Sequence, residues 1–518
     1  MAAPGKETTT LDQIEDSKSA IDFAIPVVKE HRATLTEQEN KLILRKTDKY
    51  VLSILVWLYF LQILDKSVLG YGSLFGLQQD THLVGTQYSL VGSMAAIAQL
   101  CWLPFSSFLI VKVPHRILMS VLVFGWGTAQ TCMAASHNYT GLLVARFFLG
   151  LFEAACLPLF SVITSQWYRR AEQPVRVATW YGTNGLATIF GSAVSYGLGH
   201  IPSQTLKSWQ IIFLFAGLIT VVSSPLTYWK LDNNVESARF LTEPQRAQAI
   251  ERLRANNTGI GSREFKWSQV LEVFTDAKTY LWFAMALLLN VGAAVANVFG
   301  PLILKSLEFD KYTTSLLNMP FGAVQLLVIL LSSFAAYKAK LKGVILAVIM
   351  VPVVVGLAVL YALPRTKSYT AANLVAYYLI AFIFGGNPLL VTWLVGNTAG
   401  TTKKTVLMVV YNIGVSAGNI IGPLLFTAGD APNYRPGLRA VMGLFIALIG
   451  VVFAQWLLLF SLNKSQEKKR VANEKPAKII DRSMMARYTT EDDAETGIGE
   501  EGLQDLTDRK NDEFVYIY

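Results

Sequence analysis

Residues 142–163 are apolar for long enough to cross a bilayer, yet they carry Arg146 and Glu153 inside the run. That combination restricts the fold more than any other feature of the chain. In lipid, backbone N–H and C=O groups find no outside partner, so such a run crosses as a helix of about 20 residues. A charge near the bilayer centre costs about 3 kcal/mol or more, and an ionisable residue there points to a substrate or ion path. Seven residues are about two helical turns, so Arg146 and Glu153 share a face, roughly 10 Å apart along the axis. The run ends in Trp167, Tyr168, Arg169 and Arg170. An aromatic pair followed by cations marks the cytoplasmic interface.

Of the 518 residues, 53% are hydrophobic and only 16% are charged, which excludes an ordinary soluble domain. The chain reads as an all-α polytopic membrane protein. Its net charge of +9 lies at span ends and in the tails, where cytoplasmic loops are positive, so no nucleic-acid partner is expected. Cys101, Cys132 and Cys156 all fall in apolar segments and are odd in number. They read as packing residues, and neither a metal nor a cofactor is expected. The first 48 residues lack an apolar core with a small-residue cleavage site, so the first span is expected to act as its own signal.

Apolar runs near 50–71, 88–110, 117–135, 142–163, 177–200 and 209–229 make one group. A second group lies near 278–304, 315–337, 343–363, 371–395, 404–427 and 438–462. The expected organisation is a cytoplasmic tail (1–48), six spans (49–230), a cytoplasmic linker (231–277), six more spans (278–462) and a disordered cytoplasmic tail (463–518). Twelve spans as six plus six put both termini on one side. In the first group the short loops carry Lys112, Arg116, Arg169, Arg170 and Arg176 on one side against Lys207 on the other, which places both termini in the cytoplasm. Within the linker, Thr242 and Gln245 read as a capping box, and Ala247, Ile250 and Leu253 fall on one face of a short amphipathic helix.

An internal repeat supports the two groups. The fifth span holds Ala187, Gly191, Ser195 and Gly199 at four-residue steps, and the eleventh holds Gly414, Gly418 and Gly422 at the same step. Small residues on one stripe let helix backbones approach closely in lipid. Residues 414–418 also match G-x-S-x-G, but that nucleophile motif needs a strand, a sharp turn and a helix. It lies within an apolar helix here, and no enzyme is expected.

Asp65 and Arg146 fall at similar depths, roughly 6 Å to the outer side of mid-span, so the two can pair. Lys66 points away from Asp65 at its own angle, and Glu153 lies deeper toward the cytoplasm. Two readings stand: a structural ion pair joining two helices, or groups that bind substrate and couple protons. Asn184, Asn290, Asn387 and Asn412 are further candidates, since a membrane-buried amide either lines a cavity or bridges helices. Asn138, in Asn138-Tyr139-Thr140, is the glycosylation candidate, whereas the Asn256 and Asn463 sequons are expected in the cytoplasm.

The elements ILDKSVL, ARFFLGLFEA, SQWYRRAEQPVR, LDNNVESARFLTE and NIGVSAGNIIGP followed by DAPNY resemble the major facilitator superfamily, in particular the fungal anion:cation symporters of the allantoate permease type. The resemblance spans residues 49–463. It implies two six-helix bundles related by a pseudo-twofold, a central cavity lined by spans one, four, seven and ten, and alternating access. Arg146 and Glu153 match the family pattern. Where the family writes Asp-Arg late in the first span, this chain has Asp65 and Lys66, and an ammonium is not a bidentate fork. Relatives of this type carry allantoate, ureidosuccinate, dipeptides or vitamins, which implies a small organic, often anionic, solute. The expectation is a monomeric plasma-membrane transporter taking up such a solute with protons, Arg146 and Lys66 holding the anion and Asp65 or Glu153 the proton. An exporter of a secondary metabolite is the alternative on the same fold, and a nutrient sensor that does not transport is a third reading.

Overall fold

The computed structural model describes residues 36–169, 172–254, 266–307, 309–426, 430, 433–477 and 506–518. Each apolar run closes its own hydrogen bonds as a helix, and no strand occurs among the described residues. The first half holds α1 (Glu37–Leu74), α2 (Gln87–Lys112), α3 (His115–Met133), α4 (Tyr139–Trp167), α5 (Gln173–Gly199) and α6 (Ser208–Lys230). Two short helices follow, α7 (Glu243–Arg254) and α8 (Trp267–Thr275). The second half holds α9 (Ala277–Lys305), α10 (Lys311–Ala339), α11 (Lys342–Ala362), α12 (Lys367–Gly396), α13 (Thr401–Leu424) and α14 (Arg435–Ala472). Ten of these twelve long helices are apolar enough to span a membrane on composition alone. The remaining two, α3 and α5, are more polar and lie along α6 and along α10 and α1. Both described ends of the helical body, the start of α1 and the end of α14, lie on one side, called here the tail side.

The halves repeat each other in which spans cross, with backbone contacts in the second half and side-chain contacts in the first. β-Carbons added to Gly414, Gly418 and Gly422 of α13 would lie 2.8, 2.5 and 2.5 Å from the carbonyl oxygens of Phe283, Leu287 and Val291, one helical turn apart along α9. In the first half, Gly191 of α5 meets Tyr71 of α1, and Gly199 meets Phe75 at the end of that helix. The fifth span thus sits on the first as the eleventh sits on the seventh. The fourth and tenth spans also correspond: α4 breaks at Ala154–Ala155, and α12 passes through a 3-10 turn at Ala381–Gly385. Interrupted spans in equivalent places of two repeats are the signature of a binding site between them.

Hydrogen bonds join the halves on the far side of mid-span. Asn318 Nδ2 donates to Tyr71 Oη at 3.1 Å, and Tyr377 Oη donates to Asn318 Oδ1 at 2.8 Å. Ser315 donates to the Ser192 carbonyl at 3.0 Å, Tyr312 to that of Gly199 at 3.3 Å, and Tyr88 to that of Val298 at 3.2 Å.

Two expectations change at the tails. Helix α1 starts at Glu37, well inside the stretch expected as tail, because Thr36 and Glu39 form a reciprocal capping box. Its polar first turns precede the apolar run, and a single π-helical stretch, Asp48–Leu52, joins the two. At the other end, α14 runs on to Ala472, and residues 506–518 are docked against the second half, so the expectation of a disordered tail from 463 onward is corrected for these residues. Buried hydrogen bonds and an ion pair outweigh the polar composition there. Residues 478–505 lie outside the described residues, as does the Asn256 sequon. The linker helix α7 is held against the first span: Gln245, Gln248 and Arg252 bond to Lys46, Glu39 and Asn40 of α1.

Candidate functional site

Between the halves, on the tail side of the hydrogen-bonded seam, lies a cavity of about 1180 Å³, its open mouth included. Its wall combines two cations from the first half with amides and phenols from both. Lys66 of α1 and Arg146 of α4 line it, as do Asn184 of α5, Asn290 of α9, Asn387 of α12 and Asn412 of α13. Tyr59, Tyr181 and Tyr411 complete the polar surface, with Gln99, Asn297 and Asn419.

Arg146 is 3% exposed, and its Nε and Nη2 have no hydrogen-bond partner among the described residues. A guanidinium taken out of water without partners is costly, whereas a carboxylate or phosphate at the same place meets two parallel donors. Lys66 is the more accessible cation. Its Nζ lies 3.8 Å from Glu153 Oε2, and that carboxylate also accepts from Gln99 Nε2 at 3.0 Å. Glu153 is therefore held behind Lys66 and does not line the cavity itself.

The pairing of Asp65 with Arg146 considered from sequence is not the one the fold makes. Asp65 turns away from the cavity toward α3 and α6, where its Oδ2 accepts from Trp126 Nε1 at 2.9 Å and from Thr220 Oγ1 at 3.2 Å. Its Oδ1 has no partner among the described residues. Adjacent helical residues point about 100° apart, so Lys66 on the cavity face puts Asp65 in the bundle interior.

The second half supplies an amide wall. Asn290 and Asn387 bond each other reciprocally at 3.2 and 3.3 Å, and Tyr411 Oη donates to Asn387 Oδ1 at 3.0 Å. Asn184 donates to the Tyr181 carbonyl at 2.9 Å, and Asn412 to that of Met408 at 2.8 Å. Sequence reasoning passed over Asn297 and Asn419, although each follows a noted asparagine by seven residues and so shares its face. Tyr59, Tyr181 and Tyr411 left no such signal, since tyrosine in an apolar span usually reads as packing. On the far side, the exposed Asn138 caps α4, its Oδ1 accepting from the Gly141 N–H at 2.8 Å. No group of three metal-binding side chains is present among the described residues.

The Major Facilitator Superfamily model matches residues 55–423. The thiamine pathway transporter THI73 of Saccharomyces cerevisiae is 30% identical over 513 residues, covering 98% of this chain and 92% of its own length. The allantoate permease of the same yeast is 27% identical over 473 residues, covering 88% and 86%. The MFS-type transporter cnsL of Penicillium expansum is 30% identical over 483 residues, covering 91% and 93%. Among solved structures, a bacterial homologue of the human lysosomal transporter Spinster, inward-facing and unoccupied, aligns with a TM-score of 0.56 at 16% identity, over 79% of this chain and 96% of that one. The twelve helices in two repeated halves, the central polar cavity and these matches carry one conclusion: the chain is a multi-pass membrane transporter of small molecules and belongs to the Major Facilitator Superfamily.

Proposed function

We propose that the chain takes up a small organic anion together with protons, by alternating access around the central cavity. One observation carries the reading: Arg146 is buried at the cavity wall with guanidinium N–H groups unused, and Lys66 lines the same cavity as a second cation. The anion's charged group binds between these two, and the amide wall from Asn290, Asn387 and Asn412 receives the rest of the solute. Glu153 supplies the coupling. An anion drawn to Lys66 competes with Glu153 for the ammonium 3.8 Å away, and a buried carboxylate that loses its cation takes a proton rather than keep its charge. Release of the anion returns Lys66 to Glu153 and expels the proton. Asp65, turned into the bundle and bonded to Trp126 and Thr220, ties α1 to α3 and α6. The tail side is cytoplasmic on the bias of Lys112, Arg116, Arg169 and Arg176 against Lys207, in a protein of the plasma membrane.

The test is radiolabelled uptake and efflux with a panel of small carboxylates in a transporter-deficient yeast. Accumulation that rises with external acidity supports the reading. Net efflux against the gradient, with no accumulation of any acid, favours the exporter.

A further inference from the structure

The tail-side face of the second half holds a second built site, separate from the cavity. Its centre is Asp508, a fully buried residue of the docked segment 506–518. The carboxylate is paired with Lys278 Nζ at the start of α9, and lies 2.8 Å from Lys403 Nζ at the start of α13. Tyr516 Oη donates to it at 3.0 Å. Lys403 is shared with Glu272 of α8 at 2.8 Å and with Asp276 at 3.0 Å, and Asp276 stands 3.5 Å from Lys278. Without the tail, two lysines and two carboxylates already balance, so Asp508 enters as a third anion held by shared cations.

The rest of the segment is gripped through its backbone. Ile517 accepts from Trp393 Nε1 and from Asn397 Nδ2, each at 2.9 Å, and its N–H donates to Asn397 Oδ1 at 2.7 Å. The Tyr518 carbonyl accepts from the Lys342 N–H at 2.8 Å, and Asn463 bonds both the N–H and the carbonyl of Tyr516. An amide that closes both N–H and C=O of one residue recognises extended peptide regardless of its side chain. The side-chain specificity comes from the two-lysine pocket for a carboxylate and from the buried Tyr516.

The helices so gripped also matter for the cavity. Lys278, Asn397 and Lys403 mark the tail-side ends of α9, α12 and α13, which supply Asn290, Asn387 and Asn412. Those asparagines lie about 18, 15 and 14 Å further along their helices.

We infer that the tail-side face of the second half is a peptide socket, filled by the chain's own residues 506–518, whose occupancy sets how α9, α12 and α13 stand against one another and so regulates the cavity wall. This rests on the reading of that cavity as the transport site, and its test needs no substrate. Burial alone raises the Asp508 carboxyl, but Lys278 and Lys403 outweigh it and hold it down at about 2, so the segment stays charged at every cellular pH.

The experiment uses the full chain, with Cys101, Cys132 and Cys156 replaced and the cavity-lining Met408→Cys introduced. Hydrogen exchange of residues 506–518 and the rate of N-ethylmaleimide labelling at position 408 are measured in parallel, with and without Asp508→Lys. The third cation should speed exchange of the segment at least about tenfold, the equivalent of about 1.4 kcal/mol, and change the labelling rate at least about threefold. Unchanged exchange would overturn the socket. Faster exchange with unchanged labelling would overturn the regulation. If Asp508→Lys is not recovered, deletion of residues 506–518 introduces no misplaced charge, and wild-type labelling at position 408 in that chain would overturn the regulation equally. Failure of the transport reading, by contrast, would show in uptake assays and leave both of these measurements untouched.

Discussion

Gly418 offers the most direct test of how the halves are built. Its position on α13 brings that helix against α9 so closely that a β-carbon would stand 2.5 Å from the Leu287 carbonyl oxygen, 2.9 Å from the Val291 nitrogen and 3.0 Å from Asn290 Cβ. The first two neighbours are helical backbone and cannot swing aside. Alanine therefore requires the helices to part by several tenths of an ångström along a dry interface, and overpacking of this kind costs about 1–3 kcal/mol. Leucine at the same place requires far more and should sharply lower the amount of folded protein. Because Asn290 is one of the atoms pushed, Gly418→Ala should also alter the cavity. Gly443 and Gly450 of α14 are the controls, since a β-carbon at either meets nothing within 4 Å. Alanine there should be neutral or stabilise by up to about 1 kcal/mol through helix propensity. The assay is thermal unfolding of purified protein followed by tryptophan fluorescence, with abundance in the membrane measured alongside. The reasoning is refuted if Gly418→Ala melts with the wild type, or if Gly450→Ala is destabilised as much as Gly418→Ala.

Three further outcomes follow from named contacts. Asn318→Leu removes the bridge between Tyr71 and Tyr377; the Tyr71 hydroxyl keeps Ser192 and the Thr188 carbonyl, whereas the buried Tyr377 hydroxyl loses its acceptor, at a cost of about 1–3 kcal/mol; a reporter Asn297→Cys should then be labelled at least about fivefold faster by an impermeant reagent from the far side, and an unchanged rate would mean that this bridge does not hold the seam. With the native cysteines replaced, Thr140→Cys should be labelled from outside intact cells and Lys468→Cys only after permeabilisation; the reverse pattern would invert the orientation. Docking of residues 506–518 should be indifferent to pH between 5 and 8: the Asp508 carboxyl is depressed to about 2 when docked, so its contribution is complete above the free value of about 3.9 and is lost only as pH falls through about 2. Release of the segment near pH 6 in hydrogen exchange would show that a different group controls it.

The fold was legible because lipid leaves the backbone few choices. Twelve apolar runs in two sets of six became twelve helices, and the four-residue stripes at Gly191 and Gly418 lie at equivalent crossings. Rotation about each helix axis was less legible. Asp65 and Lys66 are neighbours in an apolar span, and nothing in the flanking residues says which of them faces the cavity; the answer lies in Trp126 and Thr220, donors from α3 and α6 that claim the carboxylate. The tyrosines of the cavity were hidden because an aromatic in a membrane helix carries the same pattern whether it packs or binds. The C-terminal segment was misread for a physical reason of another kind. Its polar composition predicts disorder, whereas its order comes from Lys278, Lys403, Trp393 and Asn397, more than a hundred residues away in sequence and each unremarkable alone.

The central claim is that substrate anion and Glu153 share Lys66, so that binding of one obliges a proton at the other. Its most direct test compares wild type with Glu153→Gln in proteoliposomes, using a radiolabelled acid identified from the uptake panel, under an imposed pH gradient and under equilibrium exchange. Glutamine keeps the shape and the bond from Gln99 but carries no charge and accepts no proton. The account predicts that Glu153→Gln loses accumulation driven by the pH gradient and keeps exchange of labelled for unlabelled substrate, with Arg146→Lys failing in both modes because an ammonium cannot grip a carboxylate with two parallel bonds. Accumulation by Glu153→Gln at the wild-type level, with Asp65→Asn uncoupled instead, would contradict it.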